Sequence, residues 1–120
     1  MRLISQDGMI DVPYEYGSLS VGVGKVEEIK HAVIKYRNVS SPNGTKLAEY
    51  SSKSKALKVM EMLREKYAKI ELFKSVYQKG LLTELNKELG FDEMQNTLTS
   101  IFQFPKDEEV EVQEWVNLKR

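Results

Sequence analysis

The chain of 120 residues contains no cysteine, which excludes a disulfide framework, a Cys-ligated zinc site and a thiol nucleophile. No run of 18 apolar residues occurs, so the sequence predicts no transmembrane helix, and its opening residues lack the apolar stretch of a signal peptide. Basic and acidic side chains number 18 each, so the chain as a whole is neither polybasic nor polyacidic. With 41% hydrophobic residues and these exclusions, the sequence predicts a soluble, intracellular protein that folds as a single domain over residues 1–120.

The first fifty residues have the short, alternating, β-branched runs that are typical of strands. The predicted strands span residues 2–5, 9–12, 18–23, 29–37 and 45–50. An Asp7-Gly8 turn separates the first two strands, and Pro13 ends the second because proline has no backbone donor. The segment 40–44 contains Asn43-Gly44 and predicts the turn between the last two strands. We therefore expect an antiparallel meander.

At residue 53 the apolar period changes from that of a strand to that of a helix. Apolar side chains then recur at spacings of three and four up to about residue 69: Ala56, Val59, Met60, Leu63, Tyr67 and Ile70. Ser51 or Ser52 is a suitable N-cap. Residues 71–78 fit neither period cleanly, and a short helix over 81–89, a strand over 97–104 and a final strand from Val110 follow. The predicted fold class is α+β: a small antiparallel sheet packed by one long central helix, with a C-terminal short helix and one or two added strands.

Seven segments of the chain are distinctive: Ile4-Ser5-Gln6-Asp7-Gly8, Ile10-Asp11-Val12-Pro13-Tyr14-Glu15, Leu47-Ala48-Glu49-Tyr50-Ser51-Ser52, Lys55-Ala56, Val59-Met60-Glu61-Met62-Leu63-Arg64, Phe102-Gln103-Phe104-Pro105 and Asp107-Glu108-Glu109-Val110-Glu111-Val112. Together they resemble a family of small proteins carried by phages and mobile elements of Gram-positive bacteria. The resemblance covers both ends and the central helix, and residues 70–98 lie outside it. It implies a phage accessory protein that acts in the bacterial cytoplasm, and it implies no catalytic or binding residue.

The sequence contains no recognisable catalytic constellation, so we expect no enzyme activity, no metal site and no cofactor. His31 is the only histidine, and metal sites and triads need further partners. The segment Gly22-Val23-Gly24-Lys25 fails the phosphate-loop pattern, because Leu19 stands where that pattern has glycine and Val26 where it has Ser or Thr.

Charge is unevenly distributed, since residues 25–79 hold 13 Lys and Arg against 6 Glu, and residues 80–120 hold 4 against 9 acidic residues. On the central helix, four lysines fall within an arc of about 80° that we place opposite the apolar stripe: Lys55, Lys58, Lys66 and Lys69. This face predicts contact with a phosphate backbone or an acidic protein surface. The alternative interpretation is an ordinary solvated helix back.

Aromatic and acidic residues provide candidate interface positions at both ends of the chain. These are Tyr14, Tyr16, Glu109, Glu111 and Trp115. The acidic C-terminal run fits either a partner surface or an edge strand protected from pairing, and the opposed charges of the two regions permit homodimerisation.

Two hypotheses follow. The first is a binding protein that acts on a host protein, as an inhibitor of a host enzyme or defence system, with no membrane contact. The alternative is a nucleic-acid-binding accessory protein without sequence specificity that uses the lysine face of the central helix.

Overall fold

The structure is a computed structural model, and it describes residues 1–26, 29–78 and 100–112. It is α+β, with a small antiparallel sheet packed against one long helix and further short strands, as the sequence predicts. The strands are β1 (Arg2–Ile4), β2 (Asp11–Pro13), β3 (Ser18–Val26), β4 (Ile29–Asn38), β5 (Ser41–Tyr50) and β6 (Ile101–Gln103), and the helix is α1 (Lys53–Gln78). Short 3-10 turns lie at Tyr14–Tyr16 and Asp107–Glu109.

The predicted strands divide between two sheets instead of forming one meander. The larger sheet has the order β3-β4-β5 and is antiparallel throughout, whereas β1 lies between β2 and β6 in a smaller sheet. The β1–β2 pair is antiparallel around the expected Asp-Gly turn, in which Gly8 has φ +78° and Ser5 Oγ donates to Asp7 Oδ1 at 2.6 Å. The β1–β6 pair is parallel, and it joins the two ends of the chain.

The turn between β4 and β5 lies earlier than the sequence predicts. Asn38 pairs with Ser41, so that Val39 and Ser40 form the turn, and the backbone N–H of Ser41 donates to Asn38 Oδ1 at 2.8 Å. The Asn-Gly pair instead lies within β5, where the register shifts and Gly44 has φ +90°. The positive φ that favours Asn-Gly at a turn therefore serves a bulge here.

The helix α1 begins as predicted and continues to Gln78, nine residues beyond the predicted end. Ser52 is the N-cap, because its Oγ accepts a hydrogen bond from the backbone N–H of Lys55 at 3.2 Å. The predicted apolar stripe packs on the larger sheet and is buried or half-buried along its length. The buried core of the sheet and helix comprises Ala32, Ile34, Tyr36, Leu47, Ala48, Tyr50, Ala56, Val59 and Leu63, together with Leu3, Phe102, Phe104 and Val110.

The C-terminal segment departs from the prediction. The strand expected over 97–104 is present as β6, but the strand expected from Val110 is absent over the described residues 110–112. Val110 is instead buried in the core directly after the Asp107–Glu109 turn, and none of the described residues 110–112 pairs with a strand. The short helix predicted over 81–89 lies outside the described residues.

Candidate interaction surfaces

The two edges of the larger sheet differ in how they are closed. At β5, the Gln6 side chain acts as a short piece of neighbouring strand, because its amide donates to the Glu49 carbonyl at 3.1 Å and accepts from the Glu49 N–H at 3.0 Å. The Gln6 backbone N–H also donates to the Leu47 carbonyl at 2.8 Å. The Tyr50 hydroxyl donates to the Pro105 carbonyl at 2.7 Å. The chain itself therefore covers the β5 edge over residues 47–50.

The β3 edge is open over the part of the chain that the structure describes. All nine residues of β3 pair with β4 in an uninterrupted register from Ser18↔Arg37 to Val26↔Ile29, and no second strand lies on the other side. The strand has no proline and no bulge, and Lys25 is its only charged residue. Prolines, bulges and charged side chains are the devices by which proteins usually block an exposed edge. Because β3 has only Lys25 among these, it presents an almost unprotected row of backbone donors and acceptors.

The far ends of β3 and β4 form an arm that extends past the rest of the sheet. Strand β5 ends at Tyr50, opposite Ala32, so the β4 residues Ile29–His31 pair only with β3. Val23 is 54% exposed and Ile29 is 60% exposed, and neither is covered by α1. The arm therefore presents apolar side chains beside the open edge.

The sheet face opposite the helix is basic. Side chains alternate along a strand, and Ala32, Ile34 and Tyr36 point into the core, so Lys35 and Arg37 point outward. Lys46 on β5 is the direct cross-strand neighbour of Lys35. Glu49 is the only carboxylate within the described residues of these three strands.

The helix lysines do not form the free face that the sequence predicts. Residues of an α-helix are rotated by about 100° each, which places the centre of the lysine arc about 100° from the centre of the buried stripe, not opposite to it. Lys55 is consequently 21% exposed, and its Nζ lies 3.4 Å from Asp107 Oδ2 and donates to the Asp107 carbonyl at 3.0 Å. Lys58 lies 3.8 Å from Glu61. Lys66 is half-buried, and Lys69 alone of the four is exposed without an ion pair among the described residues.

The two candidate tyrosines have different environments although they are two residues apart. The Tyr14 ring lies 4.8 Å from the Tyr67 ring of α1, at an interplanar angle of 58°, and therefore fixes the turn before β3 to the helix. Burial, followed by the charges of Glu71 and Glu15, raises the pKa of Tyr67. Tyr16 is 80% exposed and is available to a partner near the start of β3.

The acidic C-terminal run is used mainly within the fold. Asp107 Oδ1 accepts from the Ser51 N–H at 2.8 Å, and this hydrogen bond, together with Lys55, lowers the pKa of Asp107. Glu109 caps its own turn by accepting from the Lys106 N–H at 2.8 Å. Glu111 is exposed beside α1, and Trp115 lies outside the described residues. Glu109 is therefore a local cap in this structure.

The described residues do not present a cluster of metal ligands. Within 1–26, 29–78 and 100–112, no three His, Asp or Glu side chains are grouped so as to hold a metal ion. His31 Nδ1 lies 3.4 Å from Glu49 Oε2 on the outer sheet face, which makes it part of a surface pair. No helix among the described residues is long and apolar enough to cross a membrane.

Sequence reasoning missed the open edge and the basic sheet face. The alternation of residues 18–23 identified a strand, but which strand lies at an edge depends on the sheet order. The lysines of β4 and β5 are far apart in the sequence, and only the register brings Lys35 and Lys46 together. No protein-family model matches the chain, and neither a curated protein nor a solved structure is significantly similar to it.

Proposed function

We propose that this chain is a binding protein that receives an extended segment of a partner protein along the open edge of β3. The observation that carries the proposal is the difference between the two edge strands of the larger sheet: Gln6 bonds to the backbone of β5 at Leu47 and Glu49, whereas among the described residues no strand pairs with the free side of β3. Backbone groups of an added strand would complete the hydrogen bonds that β3 leaves open, and alternate side chains would provide selectivity.

The length and composition of β3 support this proposal. Nine residues in continuous register offer about 30 Å of strand, which is longer than the strands of most globular proteins. An edge of this length, with exposed Val23 beside it, promotes nonspecific aggregation unless a partner covers it. A protein that retains such an edge has a use for it.

The partner in this proposal is a host protein, and the resemblance to phage and mobile-element proteins supplies the context. A small accessory protein that occupies one strand-binding segment of a host enzyme or defence protein would inhibit it without any catalytic residue. The alternative, nucleic-acid binding through the helix lysines, keeps little support, because Lys55 and Lys58 are each paired with a carboxylate.

The test compares two matched Val→Lys variants. Val23→Lys places a charge beside the open edge. Val39→Lys places the same charge at a fully exposed position in the turn between β4 and β5. Each protein, with the wild type, is immobilised and used to capture partners from a bacterial lysate with and without nuclease treatment. Hydrogen exchange is then measured on the reconstituted complex.

We expect the captured partner to bind wild type and Val39→Lys, to be lost with Val23→Lys, and to protect amides of residues 18–26 from exchange. Circular dichroism and melting curves of the free variants check that both remain folded. Equal capture by all three proteins, or protection confined to other elements, would contradict the proposal. Capture that disappears on nuclease treatment would favour the nucleic-acid alternative.

A further inference from the structure

The outer face of β4 carries two cations that have no counter-ion among the described residues. Lys35 and Arg37 are exposed, and within the described residues neither has an ion pair. Both side chains lie against Gly44: a Cβ on Gly44 would be 3.3 Å from Arg37 Cγ and 3.4 Å from Lys35 Cδ. The two cationic stems therefore run side by side over a backbone without a side chain.

The cross-strand arrangement adds a third cation. Lys46 is directly opposite Lys35, and like charges in this position repel each other and destabilise a sheet. Glu49 Oε1 lies 3.5 Å from Lys46 Nζ, and Glu49 Oε2 lies 3.4 Å from His31 Nδ1. Both oxygens of this carboxylate therefore already have a neighbouring side chain. Lys35 and Arg37 remain as an uncompensated pair, and an anion supplied from outside would relieve the repulsion.

The position of this pair relative to the open edge indicates where the anion comes from. On β3, the residues opposite Arg37 and Lys35 are Ser18 and Ser20, whose short side chains leave the space above β3 free. A strand added at the β3 edge would lie about 5 Å beyond β3, and so about 10 Å from β4. A glutamate on the outer face of that strand and a Lys or Arg side chain on β4 together span this distance.

We propose that the segment bound at β3 alternates between acidic and apolar residues. Its acidic residues lie on the outer face of the sheet, and its apolar residues lie on the opposite face. The acidic residues would pair with Lys35 and Arg37 across Ser18 and Ser20. The apolar residues, on the other face, would extend the row formed by half-buried Val21 and exposed Val23. This inference rests on the proposed function and specifies the chemistry of its partner.

Two other occupants fit the surface less well. A second copy of the chain, paired β3 to β3, would bring only Ser, Gly and Val residues to the outer face, with no carboxylate among them, and would place two basic surfaces side by side. A nucleic acid would find no Phe, Tyr or Trp side chain for base stacking on the outer face of the larger sheet's described strands. It would also leave the alternating backbone donors and acceptors of β3 poorly matched.

The probe is an eight-residue peptide of alternating Glu and Val, acetylated and amidated, with a fluorophore on a terminal spacer. Its controls are the corresponding Lys-Val peptide and a block isomer with four Glu followed by four Val. Binding is measured by fluorescence anisotropy at low and high salt to wild type and to the double variant Lys35→Glu/Arg37→Glu. The matched control variant is Lys66→Glu/Lys69→Glu, which makes the same charge change on α1.

We expect the Glu-Val peptide to bind wild type and the α1 variant alike. The β4 variant should bind it at least about tenfold more weakly, and the affinity should fall with salt. The Lys-Val peptide should bind the β4 variant better than wild type, because the charges are exchanged. The block isomer should bind weakly, since its acidic residues cannot all lie on one face of a strand.

The outcomes separate this inference from the proposed function. Binding that is lost in Val23→Lys but unchanged in Lys35→Glu/Arg37→Glu would overturn the acidic preference and leave edge pairing in place. Binding that is unchanged in both variants would contradict edge pairing and the acidic preference together. Failure of the Glu-Val peptide to bind wild type overturns the inference. The inference is also overturned if sedimentation velocity shows a dimer of the wild type that Val23→Lys abolishes. It is likewise overturned if a 20-nucleotide single-stranded DNA binds more tightly than the Glu-Val peptide and its binding depends on Lys35 and Arg37 in the same way.

Discussion

Gly17→Ala is the substitution for which the structure makes the sharpest stability prediction. Gly17 precedes β3 with φ −153°, an extended conformation that any residue adopts, so backbone strain does not require glycine there. Glycine is required there by lack of space. A Cβ on Gly17 would overlap the Tyr36 ring, 2.5 Å from Cε1 and 2.6 Å from the hydroxyl oxygen. Tyr36 is buried, and its hydroxyl donates to the Pro13 carbonyl at 2.5 Å.

The expected loss of stability follows from the displacement of the Tyr36 ring that a Cβ at position 17 requires. An ordinary van der Waals contact begins at 3.4 Å, so Tyr36 has to move by nearly 1 Å within a filled core. Overpacking of this kind destabilises by about 1–3 kcal/mol, and the strained or broken hydrogen bond to Pro13 adds about 1 kcal/mol. The lower entropy of the unfolded alanine chain offsets about 0.4–1 kcal/mol. We expect a net loss of about 1–3.5 kcal/mol, measured by urea denaturation monitored by circular dichroism.

Two glycines of the neighbouring strand provide matched controls for this substitution. A Cβ on Gly22 or on Gly24 would meet nothing within 4 Å. Replacing either by Ala should leave stability unchanged or raise it by up to about 1 kcal/mol, because alanine loses less entropy on folding. A Gly17→Ala protein as stable as these two controls would refute the reasoning and would mean that Tyr36 does not lie against this turn.

Three further predictions concern the helix and its contact with the C-terminal segment. Leu63→Ala should destabilise by about 2–5 kcal/mol because Leu63 is fully buried, whereas Met62→Ala, at a position 37% exposed, should cost well under half as much in the same denaturation assay. Ser52→Ala should cost about 1 kcal/mol and reduce helicity, since it removes the N-cap hydrogen bond to the Lys55 N–H. Asp107→Asn should be less stable than wild type at neutral pH, and the difference should vanish in acid. The lowered pKa of Asp107 means that its ionised form stabilises the fold above pH 3.8, and this contribution is lost as the pH falls through the lowered value.

Each of these predictions has a distinct contrary result. Equal losses for Leu63→Ala and Met62→Ala would mean that α1 is rotated about its axis. Unchanged stability and helicity for Ser52→Ala would place the helix start at another residue. A stability difference for Asp107→Asn that persists undiminished at pH 2 would show that the ionised carboxylate is not responsible for it.

Local sequence determined the elements whose cause lies within a few residues. The spacing of Ala56, Val59 and Leu63 specified which face of α1 is buried, because a helix repeats every 3.6 residues whatever it packs against. Asp7-Gly8 specified its turn, because a positive φ is a property of single residues. Residues 71–78 were ambiguous by period, and the helix continues through them.

The position of the β4–β5 turn was not a local matter. Asn43-Gly44 is as suitable for a bulge as for a turn, and the pairing of Asn38 with Ser41 decided between the two. That pairing in turn allows β5 to reach Gln6, so a side chain more than thirty residues away takes part in fixing the register.

The candidate site depended on tertiary structure almost entirely. Lysines were visible in the sequence, but a helical wheel does not reveal that Asp107 lies beside Lys55, or that Lys35 is opposite Lys46 on a neighbouring strand. An open edge is likewise defined by what does not pair with it, and this depends on sheet order rather than on the composition of β3. Sequence by itself predicted a strand over residues 18–23 with one half-buried face. Only the tertiary structure showed that Gln6 covers the end of β5 and that, among the described residues, no strand pairs with the second side of β3, because hydrogen bonds between distant segments decide which backbone groups are satisfied.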